Sequence, residues 1–253
     1  MTARTRRSVL ACAIFAVSVT GALAGCSSSD TALTPTTAAS ATTTAAVPPA
    51  GVKPSSTPES ERTLFDAVDR NDPAAVTAAL TAGANIEARG EGERTPLVEA
   101  TKNNAVAAAS TLILAGADVN AKDSMQDSAF LYSGAEGLNE ILALTLSHGA
   151  DVDSVNRYGG TALIPASEHA HVETVRMLIA AGVPVNHVND PGWTALLEAV
   201  VYGDGSARYV DVITQLLDAG ADPSIRDASG KTALDNAESR GQSDVVALLQ
   251  SRS

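Results

Sequence analysis

Two sets of residues recur along this chain at one shared interval. The first set contains five glycines and the second five hydroxyl residues, and within each set the steps are 33, 33, 33 and 38 residues. The sets are Gly83, Gly116, Gly149, Gly182 and Gly220, and Thr95, Ser128, Thr161, Thr194 and Thr232. A period of this length is typical of a solenoid in which each unit stacks on its neighbours. The chain is therefore expected to fold as a row of equivalent units.

Each hydroxyl residue of the second set precedes a short helical pattern. Its side-chain oxygen can accept a hydrogen bond from an N–H of the first helical turn, so we expect it to begin a helix. Each glycine of the first set is expected to end a helix, because the position just after a helix often requires the left-handed conformation that glycine adopts without strain. Two short helices fit between these marks in every unit.

The second helix of each unit carries apolar residues at three- and four-residue spacing, the pattern of one buried face. These residues are Leu112 and Ile113; Ile141, Leu142 and Leu146; Val175, Leu178 and Ile179; Ile213, Leu216 and Leu217; Val245, Leu248 and Leu249. A helix pair this short cannot bury such a face alone, so stability must come from stacking. The segment from each glycine to the next hydroxyl residue is polar and turn-rich, and is predicted to project as a loop, called here a finger.

These units resemble ankyrin repeats. The likeness is carried by Arg94-Thr95-Pro96-Leu97 and by the run from Leu112 to Asp123, and by the segments aligned with them. It covers residues 61–253, in six units that begin near Glu61, Glu93, Gln126, Gly159, Gly192 and Gly230, with the first and last as caps. The resemblance implies an all-α repeat solenoid of stacked helix-turn-helix units with projecting β-hairpin or loop fingers.

Three departures from the repeat pattern are local. Val183-Pro184 replaces the usual Ala-Asp pair, and Ser128-Ala129-Phe130 replaces Thr-Pro-Leu. The unit that begins at Thr194 carries five extra residues around Gly203 to Tyr209. Such insertions are expected in the loops between helices.

The first 25 residues have the pattern of an export signal. Arginines near the start precede an apolar run from Val9 to Ala24. Leu23-Ala24-Gly25-Cys26 resembles the lipobox of bacterial lipoproteins, which implies that Cys26 is lipidated and becomes the mature N-terminus. An uncleaved transmembrane anchor is the alternative, although the run is short and rich in small residues for a stable span. The start also resembles a twin-arginine signal, so two export routes stay open.

Residues 26–60 follow the signal and consist mainly of Ser, Thr, Ala and Pro. With almost no large apolar side chain to offset the entropy of ordering, this segment is predicted to be a disordered tether behind the lipidated cysteine. The expected location is the extracytoplasmic face of a bacterial cell membrane, with the repeat domain held there by its lipid anchor.

Charge and cysteine content exclude several functions. The formal net charge is −12, and the few Lys and Arg residues of the repeats are spread among many acids, so nucleic-acid binding is disfavoured. Acidity favours solubility or a partner with a basic face. Cys12 lies in the signal and Cys26 at the lipid site, which leaves no cysteine for a disulfide.

Residues that could do chemistry are few. His169 and His171 lie beside Glu168 and Glu173, but their place in the turn between two helices favours a turn-stabilising role over a metal site. No phosphate-binding loop or paired-cysteine zinc pattern occurs. The Gly203 to Ser206 loop lacks the second glycine of a nucleophile elbow. The chain is predicted not to be an enzyme and to need no metal or cofactor.

The fingers and the inner face of the first helices form a concave binding surface in ankyrin repeat proteins, and the resemblance assigns this surface by register. Aromatics make up only 3% of the chain, yet several fall on it, and exposed Trp and Tyr are frequent interface hot spots. The predicted partner-binding residues are Tyr158, Trp193, Tyr202, Arg157, Met125 and Glu168, with Tyr209 in the adjoining insertion. Alternatively, Trp193 packs between fingers and Tyr202 caps a helix pair.

The predicted function is therefore a tethered module that binds another protein. Two alternatives stay open: a structural envelope component that contacts cell-wall polymer or a second copy of itself, and a lipoprotein that binds metal or a small molecule through His169 and His171.

Overall fold

The computed structural model describes residues 55–252, which contain six helix pairs and no strand. The pairs are α1 Pro58–Asp69 and α2 Pro73–Thr81; α3 Pro96–Lys102 and α4 Val106–Leu114; α5 Ala129–Ala135 and α6 Asn139–Ser147; α7 Leu163–Glu168 and α8 Val172–Ala180; α9 Ala195–Val201 and α10 Ala207–Asp218; α11 Ala233–Arg240 and α12 Ser243–Gln250. A short 3₁₀ turn covers Glu91–Glu93. This arrangement confirms the predicted all-α solenoid.

The helices stack in two layers. Each odd-numbered helix packs against its own partner and against the odd-numbered helices of the flanking units, and the even-numbered helices form the second layer in the same way. The predicted apolar stripes lie between the layers, where Leu112, Leu142, Leu178 and Leu216 are fully buried. Burying a leucine side chain contributes roughly 1.5–3 kcal/mol, so the stacking of units supplies the stability that single pairs lack.

Four of the five predicted helix starts are confirmed. The hydroxyls of Thr95, Ser128, Thr194 and Thr232 each accept a hydrogen bond from the backbone N–H three residues later, at 3.1–3.2 Å. All five glycines of the first set have left-handed φ values, between 85° and 98°, and follow the ends of helices as predicted.

The prediction for Thr161 is wrong, because its hydroxyl caps nothing within residues 55–252 and lies buried without a partner there. In the four capped helices, the N–H four residues after the hydroxyl residue donates to its carbonyl. At this place in α7 stands Pro165, which has no N–H. The first turn tightens instead, so that the Ile164 N–H donates to the Thr161 carbonyl at 3.2 Å, and α7 begins later, at Leu163.

The fingers are loops in the described part of the chain, so the β-hairpin form of the prediction is wrong. Each finger closes on a backbone hydrogen bond across five residues. The bonds run from Gly90 to Arg94, Asp123 to Asp127, Asn156 to Gly160, Asn189 to Trp193 and Asp227 to Lys231, at 2.9–3.0 Å. In the last four fingers, the side chain of the first residue in the five also accepts hydrogen bonds from backbone N–H groups of the same loop; these residues are Asp123, Asn156, Asn189 and Asp227. The loop thereby satisfies N–H donors that a strand would have paired.

Neighbouring fingers are also bonded to one another. The Arg89 guanidinium donates to the Lys122 carbonyl at 2.7 Å, and the Lys122 ammonium donates to the Val155 carbonyl at 2.8 Å. The Asp190 N–H donates to the Tyr158 carbonyl at 2.9 Å. The row of fingers is therefore held at a fixed spacing.

The folded repeats begin slightly before the predicted boundary at Glu61. Thr57 caps α1 in a reciprocal arrangement with Ser60, and Pro58 occupies the first helical position, so three residues assigned to the tether belong to the first helix. The predicted signal, Cys26 and the rest of the tether lie outside the described residues. Among residues 55–252, no helix is both long and apolar enough to cross a membrane.

Candidate partner-binding groove

A cavity of about 380 Å³ lies between the fingers and the inner helices in the middle of the stack. Helices α5, α7 and α9 form its floor, and the fingers at residues 156–160 and 189–193 form its rim. We call this cavity and its lining the groove. Its polar and aromatic lining side chains include Asp127, Tyr132, Glu136, Arg157, Tyr158, Glu168, His169, Asn189, Trp193, Glu198 and Tyr202.

The groove gathers the large aromatic side chains. It contains the single tryptophan of the chain and three of the four tyrosines. The Trp193 and Tyr202 rings face each other at a tilt of 53°, with centroids 6.3 Å apart. Tyr158 and Tyr202 are 53% and 58% exposed, whereas Trp193 is half-buried. A chain with only eight aromatic residues thus presents four of them on one concave surface.

Local sequence fixes the position of Trp193. The Asn189 side chain accepts the Trp193 N–H at 2.8 Å, and the Asn189 N–H donates to the Trp193 carbonyl at 3.0 Å. Gly192 turns the chain between them with a φ of 88°, which favours glycine. Thr194 then caps α9, which carries Glu198 and ends at Val201, with Tyr202 as its C-cap.

Two of the four rings carry a cation from the protein itself. The Lys102 ammonium lies 4.3 Å from the Tyr132 ring centroid and pairs with Asp127 at 2.7 Å and Asp123 at 3.3 Å. The Arg157 guanidinium lies 4.6 Å from the Tyr158 ring centroid. Within residues 55–252, no lysine or arginine lies over the Trp193 or Tyr202 ring.

Glu198 is the unusual charged group of the groove. Its side chain has only 7% exposure and accepts one hydrogen bond, from Asn189 Nδ2 to Oε1 at 3.0 Å. Burial, and then the nearby charge of Glu168, raise the pKa of Glu198 to about 7. No lysine, arginine or histidine of the described chain forms an ion pair with Glu198 or Glu168.

The chain matches known families over most of its folded part. A model of a single ankyrin repeat matches residues 92–124, and a model of three ankyrin repeats matches residues 129–227. The crystal structure of an ankyrin repeat domain from Acinetobacter baumannii AYE is 52% identical, with a TM-score of 0.73, over 75% of this chain and 96% of that domain. The chain belongs to the ankyrin repeat family.

A second crystal structure, of another ankyrin repeat protein, is 39% identical with a TM-score of 0.72, over 75% of this chain and 97% of its own. Ankyrin repeat proteins generally mediate protein–protein interaction and are typically non-enzymatic, and the matches indicate no enzyme family. The groove lies on the concave side of the repeats, between fingers and inner helices, where the family resemblance places the binding surface.

The structure brings five of the predicted partner-binding residues together in the groove: Tyr158, Trp193, Tyr202, Arg157 and Glu168. Met125 does not line it; its side chain is 46% exposed at another finger. Tyr209 also lies apart, because its ring packs against the core and its hydroxyl donates to the Glu168 carbonyl at 2.9 Å. Tyr209 thus packs the insertion against the stack, and its contact with a partner stays a prediction.

Trp193 and Tyr202 also have structural contacts. Trp193 packs against the core with one part of its surface and lines the groove with another. Tyr202 does end a helix, yet more than half of its side chain is exposed. His171 packs closely on Gly137, where an added Cβ would lie 2.8 Å from Nδ1, as expected of a turn residue. Residues 55–252 contain no group of three or more side chains placed to hold a metal ion.

Sequence reasoning missed Tyr132, Glu198 and Asn189. A signal for two of them was available, because Tyr132 and Glu198 both stand four residues after the capping hydroxyl of their units. That register position faces the groove in both units. Asn189 stands five residues before the capping residue Thr194, at the start of the five-residue turn of its finger.

Proposed function

We propose that this protein is a membrane-tethered ankyrin module that binds a partner protein through the groove, on the outer side of a bacterial cytoplasmic membrane. The observation that carries the proposal is the gathering of Tyr132, Tyr158, Trp193 and Tyr202 around one cavity in an aromatic-poor chain. Large aromatic side chains supply contact area at low entropic cost and dominate interface energetics.

The rigidity of the row of fingers supports this proposal. Hydrogen bonds inside each finger and between neighbouring fingers hold the backbone that carries Tyr158 and Trp193 in place before any partner arrives. A preorganised surface loses less conformational entropy on binding, so more of the contact energy is available as affinity.

The tether and the location are proposed from the sequence. The lipobox-like Leu23-Ala24-Gly25-Cys26 supports lipidation at Cys26, with the repeats held away from the membrane by residues 27–57. Membrane fractionation and the mass of the mature N-terminus test this point. We expect Cys26→Ala to release the protein from membranes, while Cys12→Ala, which changes the only other cysteine, leaves it attached. Equal retention of both variants contradicts lipid anchoring at Cys26.

Partner binding is tested by crosslinking and affinity capture from native membranes. We expect one defined protein to be retained by the wild type and lost from a Trp193→Ala, Tyr202→Ala double variant. The matched control is Leu114→Ala, which removes a side chain that is 71% exposed outside the groove. Circular dichroism establishes that all variants fold. Equal recovery of every partner by the double variant would contradict binding through the groove.

A further inference from the structure

The two ends of the groove differ in whether a cation accompanies the aromatic rings. At the end formed by α5, Tyr132 has the Lys102 ammonium 4.3 Å from its ring centroid, and that ammonium is also bonded to Asp127. At the end formed by α9, the rings of Trp193 and Tyr202 have acids near them but no lysine or arginine over them in the described chain. The second end therefore offers the aromatic rings and acidic groups that would bind a cation, while no lysine or arginine of the described chain lies over those rings.

The repeat register shows where the difference arises. Lys102 stands seven residues after the capping hydroxyl of its unit and reaches the finger of the next unit. Two units later the same register position is Glu168, which lines the groove beside the finger of Asn189 and Trp193. A positive charge at one end of the groove is therefore replaced by a negative charge at the other.

Glu198 adds a second carboxylate at this end. Its Oε1 accepts the bond from Asn189, while Oε2 receives no hydrogen bond from any residue in the range 55–252. The residue is more than nine-tenths buried and lines the groove, so its carboxylate has little room for hydrating water and can be reached only from the groove. Burial of the carboxylate, and then the nearby charge of Glu168, raise the pKa of Glu198 to about 7.

We infer that the end of the groove formed by Trp193, Tyr202, Glu168 and Glu198 accepts the cationic side chain of a lysine or arginine on the partner protein. A cation there would lie against aromatic faces, whose charge distribution attracts it, and would neutralise two carboxylates at once. This inference rests on the proposed function and specifies the chemistry of the partner: a basic residue presented to an acidic, aromatic groove.

Among the described residues that line the groove, one arginine could fill this site from within the protein. Arg157 lies on the rim over Tyr158 and belongs to the same cavity. If Arg157 occupied the site in solution, its removal would open the site to an added cation. An Arg157→Gln variant therefore separates a site for a partner from a site filled internally.

The single tryptophan makes the site directly observable, because Trp193 is the only residue excited selectively above the tyrosine absorption. The probes are the N-acetyl amides of arginine and lysine, and the neutral controls are the matching derivatives of citrulline and ε-acetyl-lysine. The full chain is titrated at constant ionic strength and pH 8, where the Glu198 carboxyl is mostly ionised. Fluorescence of Trp193 is followed up to about 100 mM probe, since single small ligands bind weakly.

We expect a saturable change with the cationic probes, at least about fivefold tighter than with their neutral counterparts. Glu198→Gln and Glu168→Gln should each weaken that response several-fold. Glu238→Gln, which removes an exposed carboxylate outside the groove, should leave it unchanged. Arg157→Gln, which removes a positive charge from the same cavity, should strengthen the cationic response.

Three results would overturn the inference: no saturation with either cation, equal responses to charged and neutral probes, or saturation only in Arg157→Gln. None of these results would contradict the proposed function, because that function is tested separately, by capture of the partner with the Trp193→Ala, Tyr202→Ala variant. If capture depends on the two rings while the cation response is absent, the groove binds a partner through other chemistry. If capture is insensitive to the rings, the proposed function fails on its own evidence.

Discussion

Two neighbouring units use the same pair of positions in opposite senses. One position is the first residue of the five-residue turn in the finger, five residues before the capping threonine. The other lies on the helix that follows, four residues after that threonine. In the unit of α9 the finger supplies an amide, Asn189, which donates to the carboxylate of Glu198 at 3.0 Å. In the unit of α11 the finger supplies the carboxylate, Asp227, which accepts from the amide of Asn236 at 2.9 Å.

Whether the carboxylate stands on the finger or on the helix changes how many hydrogen bonds stabilise it. Asp227 accepts the N–H groups of Ser229 and Lys231 at 2.8 and 3.0 Å, and also the Ser229 hydroxyl. These bonds and the one from Asn236 hold the pKa of Asp227 well below its usual range.

The carboxylate of Glu198, on the helix, lies away from the N–H groups at the turn of its finger. The Trp193 N–H donates to the amide oxygen of Asn189 instead. Placing the acid on the finger thus gives a stable turn, whereas placing it on the helix gives an under-compensated charge that faces a cavity. The α9 unit therefore has the less stable of the two arrangements.

The largest effect should follow from removing the compensated charge. Asp227→Ala leaves the N–H groups of Ser229 and Lys231 and the buried Asn236 amide without their acceptor, and we expect it to lower the free energy of unfolding by about 4 kcal/mol at pH 7. Urea unfolding followed by circular dichroism measures the loss.

The loss should also depend on pH in a defined direction. Because the folded-state pKa of Asp227 is lowered, its contribution is present above the unfolded-state value near 3.8 and disappears as pH falls further. The difference between wild type and Asp227→Ala should therefore shrink in acid. A loss below about 0.5 kcal/mol at pH 7 would show that solvent replaces these bonds, and that the two units do not differ in compensation.

The second effect has the opposite sign. The pKa of Glu198 is raised from 4.5 to about 7, so the unfolded chain releases this proton at lower pH than the folded one. The wild type should lose up to about 3 kcal/mol from this group as pH rises from 4.5 to 7, and should not recover it above that range. Glu198→Gln keeps an acceptor for Asn189 and removes the charge.

We therefore expect Glu198→Gln to be as stable as wild type at pH 4 and about 3 kcal/mol more stable at pH 8, by urea unfolding at both pH values. Glu238→Gln, at an exposed position of α11, is the control and should show no comparable change with pH. If Glu198→Gln is less stable than wild type at pH 8, the carboxylate is already compensated in the folded protein.

The sequence was sufficient for the fold but only for part of the groove. The period, the capping hydroxyls and the stop glycines are local signals, and the residues that carry them lie where they were expected. The prediction that Thr161 caps a helix was wrong because Pro165, four residues later, has no backbone N–H to donate to the Thr161 carbonyl. The pattern of side chains that predicted the cap does not report on this backbone bond.

Glu198 was missed for a different reason. As a single glutamate on a helix it resembles a solvated residue, and its burial depends on Asn189, Trp193 and Glu168, which come from a finger and a neighbouring helix. The packing of Tyr209 could not be read from the sequence, because its ring and hydroxyl meet the core and α7 only after the insertion has folded back.

Exchanging the amide and the acid should convert one unit toward the other. Asn189→Asp in the wild type puts a carboxylate beside Glu198 and removes a donor, so we expect a loss of about 2 kcal/mol at pH 8. In a Glu198→Gln background the new carboxylate can accept both the Trp193 N–H and the introduced amide, as Asp227 does from Lys231 and Asn236.

The same substitution should then be neutral or mildly stabilising, which corresponds to a coupling energy of about 2 kcal/mol between the two positions in a double-mutant cycle. Urea unfolding of the four proteins at pH 8 supplies the cycle. Equal losses in both backgrounds would mean that the finger and helix positions act independently, and that their exchange does not explain the contrast between the units.

The smallest effect separates the α9 unit from its other neighbour, the α7 unit. The Thr194 hydroxyl caps its helix by accepting a hydrogen bond from the Leu197 N–H, whereas the Thr161 hydroxyl is buried without a partner in residues 55–252. Valine has the shape of threonine without the hydroxyl. Thr194→Val should therefore cost about 1 kcal/mol, while Thr161→Val should be neutral or stabilise by up to about 1 kcal/mol. Thermal unfolding of the two variants measures the difference, and a similar loss in both would mean that the Thr161 hydroxyl is bonded in solution, by water or by a rotated backbone, so that Pro165 does not leave it uncompensated.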